Sequence, residues 1–600
     1  MIPRRLQRPD PLIDSGLSAR TGSKGESRSG RRSRVGWHRL TAAVAVPGEV
    51  VQGFGWIDSA VIVGVLVGIT IFGRVVAGRQ ETDQDFFAGG RRLPWYAIGA
   101  SIVATELSAV TYVSLPSIVF RPGGDLRFLQ IALFGYVLSR ILVARYFVPA
   151  YFKRDLLSPY DLITEKLGTS AGQTATGLFM FGGILAQASR VYLTAVVLQV
   201  LLGAQLAGLS ELTGASTLVL SVALVGVVSI LWTWIGGIAA VVWTDALLFV
   251  LLGVGAFVAS WFALAQADLS IAGLFSQAAA EGKLRFLDFD FSWTRPYTFW
   301  AALLGAAWGG LCAFGADQLI AQRLFCARSE RDARWAMLFS NFSVVITAGV
   351  MFMGLALWGF FQAKPPSGEA AAQIAAQPDR VLPWFILESM PVGLRGLVIA
   401  GALAAAISSL DSILAALAQT TSSLRPGPPG REVARARWLV VGWGFVLCAV
   451  AVSLQPVAER YGALLDLALA MAGYTGGALL AGVLLAMSTG RWRFGRGYVV
   501  AAPLSVLCVL GAVWHQTWAF WTLVGLCLGL ATAVALTHPH RRALPLGVVA
   551  LGSILSLGLS RFAVTESGTF LAWPWYIPLG CTVTLVGAWL LRDPGPLHEG

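Results

Sequence analysis

Residues Ala404–Ser423 read AAAISSLDSILAALAQTTSS. The stretch sits inside a long apolar run, yet it carries a carboxylate and a ladder of hydroxyls. In hydrocarbon a polar group without a partner is expensive, so these residues need a purpose. On a helix, Ala405, Ser408, Ser409 and Ser412 fall at i, i+3, i+4 and i+7 and share one face. Two readings fit that face. Hydroxyls and backbone carbonyls freed by an unwound helix make a cage of hard oxygens suited to Na⁺. Alternatively, the serines bond back to carbonyls one turn earlier and only pack helices.

The surrounding chain favours a membrane. Of 600 residues, 56% are hydrophobic and 13% charged, too little charge for a soluble surface of this length. Apolar windows of roughly 17–25 residues mark spanning helices. About fifteen (13–15) are predicted, starting near Ile57, Tyr96, Phe128, Gln173, Thr217, Ile238, Tyr297, Trp335, Gly396, Trp438, Ala463, Tyr498, Trp518, Leu544 and Trp575. The fold class is an all-α polytopic membrane protein. The net charge of +12 lies in short loops and the N-terminal tail, where it orients spans; it does not point to nucleic acid. The six Cys lack metal spacing and the His form no cluster, so neither suggests a metal centre.

Arg and Lys are about twice as abundant in the loops that become internal if the N-terminus is outside. That predicts N-out, C-in insertion in the cell (cytoplasmic) membrane. The Arg/Ser/Gly-rich tail 1–50, with Arg31, Arg32 and Arg34, breaks this rule. It reads as a disordered segment and a gene-model extension, with translation starting near Val50 or Val51. The remaining units are a leading helix at 55–77, a first repeat at 94–265, a second at 296–489 and extra C-terminal helices at 497–592. The outer loops 268–295 and 362–383 are too short for an extramembrane catalytic domain, so no enzyme is expected.

Two spans are unusual. Ala97–Ser117 (AIGASIVATELSAVTYVSLPS) and Phe299–Gln318 (FWAALLGAAWGGLCAFGADQ) mix Gly, Ala and small polar residues, five spans apart. Small residues serve close packing, or they mark discontinuous helices at matching positions of two inverted five-helix repeats, spans 2–6 and 7–11.

Several blocks resemble the sodium/solute symporter family, which includes sodium-coupled sugar, proline, sialic acid and monocarboxylate carriers. They are DFFAGGRRLPWYAIGASIVATELSAVTY (Asp85–Tyr112), YLTAVVLQVLLG (Tyr192–Gly203), WTWIGGIAAVVWTD (Trp232–Asp245), GADQLIAQR (Gly315–Arg323) and LAAAISSLDS (Leu403–Ser412). The resemblance runs from Ile57 to Ser488 and more weakly to WPWYIPLG at Trp573–Gly580. It implies repeats of leucine-transporter type and Na⁺-coupled uptake of a small organic solute. It also implies a sodium site from the carbonyls of Ala104, Leu107 and Ala405 and the hydroxyls of Ser408 and Ser409. Asp245 matches a family Asp linked to coupling; a second cation site would draw on Asp245, Ser408, Asp411 and Ser412. Two departures matter. Leu248 replaces a frequent Gln, and Val110 and Thr111 stand where sugar carriers have Glu and Gln, which argues against a sugar.

Ionisable residues at bilayer depth then point to the solute. A guanidinium at Arg190, mid-span, can clamp a carboxylate bidentately; equally, it can pair with Glu106 to hold two spans together. By position, Glu106, Ser108, Thr111, Tyr192, Trp308 and Tyr474 complete the wall. Arg140 reads as snorkelling and Asp466 as hydrated. The rival functions are a proton-coupled carrier using Glu106 or Asp411, and a non-transporting membrane sensor.

Overall fold

The computed structural model describes residues 55–78, 80–154, 156–366, 368–424, 431–458, 464–488, 492–513 and 571–594. The tail 1–50 and the spans expected near Trp518 and Leu544 lie outside these residues. Among those described, the regular structure is helical apart from a two-residue antiparallel pairing of Trp492–Arg493 with Asp593–Pro594 and an isolated bridge between Leu93 and Ala327. We label the main helices α1 (Trp56–Ala77), α2 (Trp95–Glu106), α3 (Ala109–Phe120), α4 (Ile131–Phe152), α5 (Thr169–Leu201) and α6 (Thr217–Gln266). There follow α7 (Ala301–Ala316), α8 (Gln318–Phe325), α9 (Glu330–Ala363), α10 (Leu394–Leu424), α11 (Glu432–Ser453), α12 (Leu464–Met487), α13 (Gly495–Val513) and α14 (Tyr576–Leu590). Eight described helices are long and apolar enough to cross a bilayer, or ten if each of two bent pairs is one span. The protein is therefore a multi-pass membrane protein, and the expected total of fifteen is not established.

The breaks have local causes. Between α2 and α3 the axis bends by 54°. The helical ladder stops at Leu107 N–H to Val103 C=O and resumes at Tyr112 N–H to Ser108 C=O, with Leu107 and Ser108 non-helical. A continuous rod through Glu106 is thus excluded. Between α7 and α8 the bend is 48°. There Asp317 is extended and its side chain caps the Leu319 N–H at 2.8 Å. The two spans expected at Thr217 and Ile238 are two helical segments, numbered together as α6, that meet at a non-helical kink at Gly237 (φ 54°, ψ −161°). A Cβ there would come within 2.7 Å of the Phe86 carbonyl oxygen, so backbone conformation and space both require glycine.

Lipid offers little hydrophobic drive for helix association, so close packing through small residues carries it. A Cβ on Gly135 would sit 2.7 Å from Ala302 O, and one on Gly354 2.7 Å from Pro116 O. π-helical turns at Ile131–Tyr136 and Ala301–Ala306 lie where α4 meets α7. Helix α10 is buried along nearly its whole length and forms the centre; α1 is mostly exposed at the periphery. It is held there by Asp58, which accepts from Arg395 Nε at 2.6 Å and from the Gly393 N–H at 2.7 Å.

Candidate ion and solute site

The hydroxyl stripe of α10 is fully inside: Ala405, Ser408, Ser409 and Ser412 are all buried. Both expectations for this face have a counterpart. Ser409 donates to Ala405 O at 3.2 Å and Ser412 to Ser408 O at 2.6 Å, as back-bonding serines do. Ser408 instead donates across to Asp245 on α6. A donating hydroxyl keeps its acceptor lone pairs, and a carbonyl oxygen has two, so these oxygens remain able to ligate a cation. On the facing element, Ala104 and Leu107 are buried at the end of α2, where terminal carbonyls lose their helical partners. The donor set is all oxygen without a dense carboxylate cluster, which fits a monovalent alkali ion. Among the described residues no group of three or more His, Cys, Asp or Glu could hold a metal.

Next to this set is a charge node. Asp245 is fully buried and its Oδ2 lies 2.9 Å from Arg323 Nη2 and 2.6 Å from Ser101 Oγ. Arg323 also donates from Nε to Ser101 Oγ at 2.8 Å and contacts Ser412. Arg323 was given no role from the sequence; the signal was a lone Arg within an apolar helix, which at depth demands a counter-charge. Its guanidinium engages Asp245 and Ser412, two of the residues expected at a second cation site. Asp411, another of that set, borders a narrow crevice with Thr70, Gly73 and Trp232. Its Oδ2 is buried with no protein hydrogen-bond partner.

A cavity of about 180 Å³ opens beside the broken turn of α2 and α3. Glu106, Ser108, Thr111 and Arg190 line it, together with Gln187, Cys312 and Asp317. The expected aromatic wall is not there: Tyr192, Trp308 and Tyr474 do not line the cavity. Tyr474 stacks on Tyr576 with ring centroids 5.9 Å apart, and α7 presents Gly305 and Gly309 to the space instead of Trp308. The proposed Arg190–Glu106 pair is also replaced. Glu106 pairs with Arg140, which is fully buried rather than snorkelling and lies 4.1 Å from the Phe314 ring centroid. Arg190 Nη1 instead donates to Thr105 O at 3.3 Å, on the broken turn. One helical turn earlier, Gln187 is buried and its Oε1 has no protein partner. Asp466, expected to be hydrated, accepts from Tyr297 and Trp573.

The sequence profile of the sodium:solute symporter family matches residues 86–494. Human sodium-coupled monocarboxylate transporter 2 is 27% identical over 422 residues, 69% of this chain; the chain spans 65% of that protein's length. The sodium/sialic acid symporter of Proteus mirabilis (strain HI4320) is 28% identical over 474 residues, 76% of this chain and 90% of that one. These relatives are transporters, not enzymes. Among solved structures, a substrate-bound, outward-open Na⁺-coupled sialic acid symporter aligns with a TM-score of 0.68 at 23% identity. That alignment covers 90% of this chain and 99% of the other, and shows a shared fold.

Proposed function

This chain belongs to the sodium:solute symporter family, and from that premise we propose that it takes up a small carboxylate together with Na⁺ by alternating access. One arrangement supports the reading: the break near 104–108 carries carbonyls that we assign to the ion and borders the cavity that we assign to the solute. The Ala104 and Leu107 carbonyls belong to the ion set with Ala405, Ser408 and Ser409. The Thr105 carbonyl holds Arg190, and Glu106, Leu107 and Ser108 line the solute cavity. Whatever orders that turn for one ligand orders it for the other, which is reciprocal coupling. Arg190 is the carboxylate clamp, with Ser108 and Thr111 beside it and Gln187 offering an acceptor to a hydroxyl on the solute.

The two bent helices, five spans apart, support inverted repeats at 94–265 and 296–489, and the Lys/Arg bias of the loops supports an outside N-terminus. Because Arg323 already compensates Asp245, we assign one Na⁺ per cycle. One Na⁺ with a monovalent carboxylate is electroneutral, so the membrane potential drops out. A tenfold sodium gradient then supplies about 1.4 kcal/mol and supports roughly a tenfold solute gradient.

The test is uptake of labelled 2-hydroxypropionate into proteoliposomes. An inward Na⁺ gradient should drive it, and a K⁺/valinomycin potential should leave it unchanged. Sodium-independent uptake that rises at low pH would replace this reading with proton coupling. Potential-driven uptake would refute the single-ion assignment.

A further inference from the structure

We propose that the segment Ala572–Ile577, beyond the span matched by the family profile, is a working part of the solute site: it walls the cavity at one end, and Trp573 closes it. The inference rests on the solute-cavity reading above. Trp573, Pro574 and Ile577 border the cavity directly.

The helices around the cavity are built to receive this segment. A Cβ on Gly305 of α7 would lie 2.8 Å from Pro574. On α12, a Cβ on Gly473 would lie 3.0 Å from Tyr576, and one on Gly476 3.0 Å from Ile577. Glycines on two separate cavity helices thus leave room for one strip of chain. The strip is also tied to the loop before α7, through Ala572 N–H to Trp293 O at 2.8 Å and Trp575 Nε1–H to Ser292 O at 3.2 Å.

The closure is a single carboxylate oxygen. Asp466 Oδ1, at the start of α12, accepts from Tyr297 O–H at 2.8 Å and from Trp573 Nε1–H at 3.1 Å. One atom thereby joins α12, the residues leading into α7 and the C-terminal strip. Tying the indole N–H to Asp466 leaves the apolar ring against the cavity, where it faces the body of the solute rather than its charged end. Losing either donor loosens the seal, since each carries one of the two hydrogen bonds that meet at this oxygen.

Cys312 lines the cavity and serves as a native reporter, while the fully buried Cys326 is not among its lining residues. The full-length protein in nanodiscs, open to reagent from both faces, is treated with the small anionic thiol reagent 2-sulfonatoethyl methanethiosulfonate. Modification of each Cys is followed by peptide mass spectrometry. Tyr297→Phe and Trp573→Phe should each speed Cys312 modification about tenfold or more, with Cys326 unmodified. Rates within twofold of wild type in both variants would overturn the closure. If either variant exposes Cys326 and so reports unfolding, Trp573→Cys gives the second readout: its thiol should react at least as fast as Cys312, and an inert thiol would overturn the wall assignment. Protection of Cys312 by Na⁺ with 2-hydroxypropionate probes the transport reading separately. Its absence, with the Phe variants still accelerating modification, would sink the carboxylate assignment and leave the closure standing.

Discussion

Neutralising one member of the Asp245–Arg323 pair should destabilise the protein far more than removing both. The two charges are fully buried and 2.9 Å apart. At an effective dielectric constant of about 20 they attract by roughly 6 kcal/mol. Withdrawing the two ions from water costs several kcal/mol each, so the intact pair nets close to zero. A lone survivor has no such offset. In Asp245→Asn the Arg323 guanidinium keeps only Ser101, Ser412 and the Leu319 carbonyl as strong partners. In Arg323→Met the Asp245 carboxylate keeps only hydroxyls, from Ser101, Ser408 and, at 3.4 Å, Thr105. Each single variant should therefore lose about 3–5 kcal/mol. The double variant, which removes both charges of the pair and replaces the guanidinium stem with methionine, should lose about 1–2 kcal/mol. The coupling would then be at least about 4 kcal/mol. Equilibrium unfolding in dodecyl maltoside with increasing dodecyl sulfate measures all four corners of the cycle. Single variants within 1 kcal/mol of wild type, or a double variant costing the sum of the singles, would refute the assignment of this pair as a mutually compensated core node.

Ser409→Ala removes one oxygen of the ion set and should raise the half-saturating Na⁺ concentration about tenfold, close to 1.4 kcal/mol; a Na⁺ titration of thermal stability checks it, and an unshifted midpoint counts against the site. Gln187→Leu should erase a preference of about fivefold for 2-hydroxypropionate over propionate, the worth of one neutral hydrogen bond; competition uptake measures the ratio. Arg190→Met should abolish stabilisation by carboxylates, because the cavity loses the guanidinium that would pair with them; thermal unfolding with and without 2-hydroxypropionate reads the effect, and an unchanged ligand shift counts against the clamp. In the loop before α7, burial alone would raise the Asp288 carboxyl, but the Asp290 N–H and the guanidinium groups of Arg127, Arg295 and Arg285 outweigh it and hold it below its usual range. Its stabilisation is therefore complete above the unfolded value near 4 and fades as pH falls through the lower folded value; Asp288→Asn should flatten the acid limb of an unfolding–pH profile, and an identical limb would remove Asp288 from the account.

What was legible followed from constraints that act along the chain. Apolar length marks a span because the bilayer has one thickness, and Gly/Ala/Ser runs at 97–117 and 299–318 stand out because lipid gives small residues few other uses. The stripe at Ser408–Ser412 was legible because α10 is one regular helix. What failed were choices of face and partner. Arg140 lies between π-helical turns at Ile131–Tyr136 and Val143–Phe147, and each shifts the helical phase away from a 3.6-residue wheel. Trp308 sits between two such turns in α7, at Ala301–Ala306 and Cys312–Ala316, and its expected place in the cavity wall was lost in the same way. Tyr474 is buried away from the cavity, stacked on the ring of Tyr576 about a hundred residues later. Arg323 follows the break at Asp317, beyond which no periodicity carried across from α7 sets its direction.

The energies also separate what can move from what cannot. The Asp245 node ties α2, α6, α8 and α10 together, and leaving one of its charges buried without the other costs about 3–5 kcal/mol. A tenfold Na⁺ gradient supplies about 1.4 kcal/mol per ion. Parting this pair inside the protein would require both charges to find new partners or water in the same step, so we expect these four helices to keep their contact at Asp245. The Asp466 contact differs in kind: two neutral donors meet one carboxylate near the end of α12, and water can replace either donor when they part. Exchange of one protein donor for a water donor costs on the order of 1–2 kcal/mol, comparable to what one ion delivers. The moving seam of the transport cycle is therefore expected at Asp466, Tyr297 and Trp573, while the buried ion pair beside the sodium set holds its shape and transmits that motion to the broken turn at 104–108.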